Sequence, residues 1–157
     1  MGRHGAWMAG IAVIGLLTAG CDDGVDDAGA STLFQLRTGE CFTSEAGTSS
    51  RTVELDDVTT LPCREAHDGE VFAVVTYPAA RDVAYPGDDA VADFAASECL
   101  TRFQAYTGQA YDDSDLDVAT VRPNSQSWDD RDDRDVGCVL YRTGGQLTGS
   151  RKAGGAG

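Results

Sequence analysis

Lysine is almost missing from this chain: Lys152 is the only one, and the other basic residues are arginines. Set against 26 acidic residues, the 12 bases leave a net charge of −14 at neutral pH. That balance argues against nucleic-acid binding, which depends on Lys and Arg neutralising phosphates. It argues equally against electrostatic docking on an anionic lipid surface. Methionine occurs only at Met1 and Met8, and histidine only at His4 and His67. There is no Cys-x-x-Cys pair, no Gly-x-Ser-x-Gly elbow, no metal-protease histidine motif and no phosphate loop. The sequence therefore predicts no catalytic residues, no cofactor and no metal site, and a protein that is not an enzyme.

What is present begins with a leader. Arg3 and His4 precede a nearly unbroken apolar stretch from Ala6 to Ala19, too short for an ordinary transmembrane span. Leu17-Thr-Ala-Gly20-Cys21 then resembles a bacterial lipobox, with Thr18 where leucine is usual. The resemblance implies a lipoprotein signal peptide over 1–20, cut before Cys21, whose thiol takes a diacylglycerol and anchors the protein at the extracytoplasmic face of the membrane. Two acyl chains are the minimum for a stable anchor, at about 0.8 kcal/mol per buried methylene. The alternative is ordinary secretion with Cys21 as a spare thiol. Residues 21–31, acidic and rich in Gly and Ala, read as a flexible tether or a plain solvated linker. From Cys21 onward all 26 acids remain against 11 bases, a net charge of about −15.

With Cys21 committed to lipid, Cys41, Cys63, Cys99 and Cys138 remain. An even number in an exported chain reads as two disulfides, with three possible connectivities. Cys41–Cys63 and Cys99–Cys138 are the expected pairs, because each closes a moderate loop between elements expected to be neighbours. A zinc site is the weaker rival, having only His67 to support it.

The domain is expected over 32–143. Glu70 to Tyr77, apolar on successive residues and closed by Pro78, reads as the central strand, with cover needed on both faces. Leu33–Leu36 and Arg51–Leu55 are further strand candidates. Val91, Phe94, Ala95, Cys99, Phe103 and Tyr106 share one helical face, with Asp88 or Asp89 placed to cap and Gly108 placed to end the helix. Val118–Val121 and Gly137–Tyr141 are the last strands, joined by a loop carrying Trp128. Residues 144–157 read as a flexible Gly-rich tail. The order predicts an α+β fold: a small, mostly antiparallel sheet with one main helix and two disulfides.

An ordered set of residues then resembles the septum-formation domain family of actinobacterial envelope proteins. The set is Gly39-Glu-Cys41-Phe42, Cys63 with His67 and Glu70-Val-Phe72, Cys99 with Tyr106-Thr-Gly108, Pro123, Trp128, Asp133-Arg134, Cys138 and Leu147-Thr-Gly149-Ser150. Departures fall at Glu40, at Ala66 and at Asp132, the last being where glycine normally precedes Asp-Arg. The resemblance implies an exported or tethered envelope domain linked to division-septum formation, with no catalytic residues to carry over.

The candidate interaction residues are His67, Glu70, Trp128 and Arg134. His67, flanked by Glu65, Asp68 and Glu70, would suit a pH-sensitive group or a general acid, and would equally suit the satisfaction of backbone groups in a turn. Arg131 or Arg134 over the Trp128 indole would stiffen the loop by a cation–π contact, or the tryptophan would serve a partner. Asp113-Ser-Asp115-Leu-Asp117 opens like a calcium loop but fails as an EF-hand, with Val118 at the glycine position and Asn124 at the glutamate position. Asp129, Asp130, Asp132 and Asp133 leave a looser calcium site open. Two functions follow: an interaction module that meets a division or cell-wall protein partner, or an extracytoplasmic small-ligand or calcium-binding module.

Overall fold

The computed structural model describes residues 30–31, 35–44 and 58–154. The leader, Cys21, most of the tether, Leu33–Phe34 and the strand candidate at Arg51–Leu55 lie outside the described residues. Among the described residues no helix is long and apolar enough to cross a membrane.

In chain order the elements are β1 (Ala30–Ser31), β2 (Cys41–Thr43), β3 (Val58–Leu61), β4 (Gly69–Thr76), α1 (Asp88–Thr107), β5 (Asp117–Val121), α2 (Ser125–Arg131) and β6 (Asp135–Tyr141), with a 3-10 turn at Tyr111–Asp113. The strands form one sheet in the order β1-β3-β2-β4-β6-β5. Every pairing is antiparallel. The α+β class, the main helix and both disulfides stand as the sequence predicts. Gln35–Leu36, the described part of the first strand candidate, are not strand. Ala30–Ser31, read as the end of the tether, pair with Val58–Thr59 and belong to the sheet.

β4 is central, as its composition demands. A bulge at Phe72 shifts its register against β6, from Val71 opposite Val139 to Ala73 opposite Cys138. The extra residue reverses the alternation, so Phe72, Ala73 and Val75 all join the helix-side core while Val71 joins the opposite one. This is why the run is apolar on successive positions. Where the sequence predicts cover on both faces along the whole strand, Val74 is 42% exposed. At the start of β4 a Cβ on Gly69 would come 2.6 Å from the Phe42 ring, so glycine is what lets β2 and β4 close together there.

α1 lays Val91, Ala95, Cys99, Phe103 and Tyr106 against the sheet. Gly108, at φ 75, ends it in the left-handed conformation and donates to the Gln104 carbonyl. The start differs from expectation: Gly87 occupies the cap, and Asp88 and Asp89 sit in the first turn, where the helix dipole favours negative charge. Cys99–Cys138 ties α1 to β6, and Cys41–Cys63 ties β2 to the turn before β4. Loops of this size each contribute on the order of 3–4 kcal/mol in the chain-entropy model.

Two segments correct the sequence reading. The loop expected around Trp128 is helix α2, held at its start by Asn124 and Ser127 in a reciprocal capping box. The expected tail after Thr143 returns to the fold: Leu147 is fully buried, exchanges backbone hydrogen bonds with His67, and is followed by Ala153 bonding to the Tyr106 carbonyl. Its glycines mark turns, with positive φ at Gly144 and Gly149.

Candidate functional site

The pairing of β2 with β4 sets Cys41 directly opposite Glu70, so their side chains project from the same face. Glu70 is fully buried. Its Oε1 accepts from the Tyr106 hydroxyl at 2.7 Å and from the Ser150 hydroxyl at 2.6 Å, and its Oε2 accepts from the Arg151 backbone N–H at 2.7 Å. Three donors of this kind satisfy the oxygens of a buried carboxyl group, which would be costly to bury unpaired. Burial pushes the Tyr106 phenol well above its ordinary range, and its hydrogen bond to Glu70 pushes it further. The sulfurs of Cys41 and Cys63 and a Glu70 oxygen all lie within 4.8 Å of one another.

His67, at the turn before β4, is also fully buried. Its Nδ1 lies 2.8 Å from the Glu65 carbonyl, an acceptor to which it donates, and among the described residues Nε2 has no hydrogen-bond partner. The backbone bonds of His67 hold the C-terminal segment through Leu147.

The second constellation lies at the α2–β6 corner. The Arg134 guanidinium carbon stands 3.6 Å from the centroid of the Trp128 ring. Nη1 donates to the carbonyls of Trp128 and Asp133, and Nη2 donates to the Arg81 carbonyl. Trp128 Nε1 donates to the Val83 carbonyl at 2.8 Å, and the indole meets the rings of Tyr77 and Tyr85 edge-on. Tyr85 in turn donates to Asp88, and burial first, then that carboxylate, push its phenol up to about 12. Of the two arginines considered for the indole, Arg134 is the one that stacks.

Asp132, left-handed at φ 55, bridges Arg81 and Arg134 at 3.1 and 3.3 Å. Beside it opens a cavity of about 590 Å³ whose lining includes Arg81, Arg131, Asp132, Asp133 and Asp135. The Arg81 side chain is 91% exposed there.

All four candidate interaction residues are thus enclosed: His67 and Glu70 completely, Trp128 and Arg134 nearly so. They fall into two groups, one around Glu70 and the C-terminal segment, the other beneath the charged cavity. Asp129, Asp130, Asp132 and Asp133 do not bring their oxygens together; among the described residues Cys41, Cys63 and Glu70 are the one group of three with metal-ligating atoms that close. Sequence reasoning missed Tyr106, Ser150 and Arg151 as partners of Glu70. A glutamate inside an apolar strand was the available signal, since such a charge needs donors from somewhere.

A disulfide-stapled antiparallel sheet covered by one helix defines the class, a small domain suited to an oxidising compartment outside the cytoplasm. A family model described as septum formation matches residues 38–155, and the chain belongs to that family. The match runs through the C-terminal segment that closes over Glu70. No curated protein and no solved structure matches the chain.

Proposed function

We propose that the protein is a non-enzymatic, lipid-anchored module of the cell envelope that meets a protein partner during septum formation. Family membership over residues 38–155 is the observation that carries the septal role. The anchor rests on the lipobox-like sequence ending at Cys21, and a mass spectrum of membrane-extracted protein is expected to find a thioether-linked lipid there.

The surface best suited to the partner is the charged cavity at the α2–β6 corner. It presents both signs of charge on a floor fixed by the Arg134–Trp128 stack, and rigid support of this kind lowers the ordering cost of binding. Trp128 and Arg134 then act by holding the surface and not by touching the partner. Arg81→Glu reverses a charge that is 91% exposed while sparing the Arg81 carbonyl that Arg134 uses. Crosslinking in dividing cells is expected to capture a partner with the native chain and lose it with Arg81→Glu, whose fold is kept and whose melting temperature falls only by the loss of the exposed Asp132 pair. Equal capture by both would remove the cavity from the account.

The second reading, a small-ligand or calcium-binding module, draws on the volume of the same cavity and on the acidic surface. Heat on titration with millimolar calcium, with a raised melting temperature, would favour it.

A further inference from the structure

We propose that Cys41, Cys63 and Glu70 form a thiophilic divalent-cation site that becomes available when the Cys41–Cys63 disulfide is reduced. The two disulfides differ in access. Cys99 and Cys138 are completely buried, and Cys41 nearly so. Cys63 is half-buried and lines a surface cavity of about 340 Å³ with Arg37, Glu40 and Pro62. Thiol–disulfide exchange requires a thiolate to reach a sulfur. Cys63 Sγ is the sulfur an incoming thiol can reach.

The reductant is the dithiol form of a thioredoxin-like envelope protein. One of its thiolates attacks Cys63 Sγ, forming a mixed disulfide and releasing Cys41 Sγ, which takes up a proton. Its second thiol closes on the mixed disulfide and releases Cys63. Two electrons and two protons pass to the cysteine pair, and the dithiol becomes a disulfide.

The opened pair does not face an inert wall. Glu70 stands opposite Cys41 in the sheet, and its carboxylate lies within 4.8 Å of both sulfurs. Oε1 is taken by two donors, whereas among the described residues Oε2 accepts from the Arg151 N–H alone and keeps a lone pair. The opened pair sets two thiols beside that carboxylate in a mostly buried setting, and a divalent cation binds all three by displacing both thiol protons. Two sulfurs and one carboxylate oxygen suit zinc, with a fourth position open to water from the cavity. The Cα atoms of the pair are 5.2 Å apart. The sulfurs therefore stay neighbours after the bond opens, while Cys99–Cys138 continues to hold the helix to the sheet.

The test uses the full chain in detergent, oxidised and after mild treatment with a phosphine reductant. Alkylation and peptide mapping are expected to label Cys41 and Cys63 and to leave Cys99 and Cys138 unlabelled. The reduced protein is then expected to bind one cobalt(II) per chain with a thiolate charge-transfer band that the oxidised protein and Cys63→Ser both lack. X-ray absorption of the zinc form should show two sulfurs at about 2.3 Å and oxygen ligands at about 2.0–2.2 Å. The proposal is overturned by simultaneous opening of both disulfides, by loss of the far-ultraviolet spectrum on reduction, by absence of the band, or by a ligand set without two sulfurs and oxygen. Because Glu70→Gln also disturbs the C-terminal segment, the absorption spectrum of the native protein is what decides the carboxylate's part.

Discussion

The Tyr106 hydroxyl donates to the buried carboxylate of Glu70 at 2.7 Å, joining the last turn of α1 to the central strand. Ser150 and Arg151 reach the same carboxylate, so helix, sheet and C-terminal segment meet at one side chain. Tyr106→Phe removes one donor and keeps the ring against Phe72. It should cost about 1–3 kcal/mol, the range for depriving a buried acceptor of a partner. Denaturant unfolding checks this, and a loss under about 0.5 kcal/mol would mean the bond carries little stability.

Ending the chain at Thr143 should be far more damaging than trimming a tail. The truncation deletes fully buried Leu147 and two of the three donors to Glu70. Loss of one buried leucine side chain alone costs about 2–5 kcal/mol. A melting temperature equal to that of the full chain would contradict the packed C-terminal segment.

Asp132 holds a left-handed backbone while bridging two arginines. Asp132→Ala keeps the unfavourable conformation and loses both ion pairs, whereas Asp132→Gly loses the pairs and relieves the backbone. The glycine variant should therefore be more stable than the alanine variant by about 1 kcal/mol. The reverse order in thermal melts would refute the assignment.

The two raised phenols set an alkaline limit. Below about pH 10 a tyrosine is neutral in both folded and unfolded chains, so the stability it contributes is complete there. As pH climbs from about 10 toward 12, the unfolded chain releases the proton that folded Tyr85 keeps, and stability falls; Tyr106 extends the decline further. Phenolate absorbance should show Tyr85 and Tyr106 titrating late, with Tyr85→Phe and Tyr106→Phe each removing part of the late change. Ionisation of both at about pH 10 in the folded protein would contradict their enclosed positions.

The sequence made the central strand, the main helix and the last two strands legible through periodicity, and cysteine parity made two disulfides legible; their pairing was one choice of three, made from loop size between expected neighbours, and it is the pairing found. α2 escaped because Ser125-Gln-Ser-Trp-Asp-Asp-Arg131 is short and poor in strong helix formers; its Asn124–Ser127 capping pair was the one readable sign. β3 escaped because Val58–Leu61 is four residues long and takes its strand character from neighbours on both sides. The C-terminal segment escaped because Leu147 is one apolar residue among glycines and polar groups, and what holds it is a bridge to His67, 80 residues earlier in the chain. His67, Glu70, Trp128 and Arg134 stood out in the sequence as candidate interaction residues, with a structural role as the other reading of His67 and of an arginine over Trp128, and all four are enclosed and partnered by the fold. That they find those partners inside the domain depends on long-range packing that no local pattern encodes.

The most direct measurement of the central claim is the distribution of a fluorescent fusion, anchored through its own Cys21, in dividing cells. Enrichment at the septum, reduced by Arg81→Glu, is the result expected of a septal interaction module. An even distribution around the envelope, unchanged by that substitution, would contradict it.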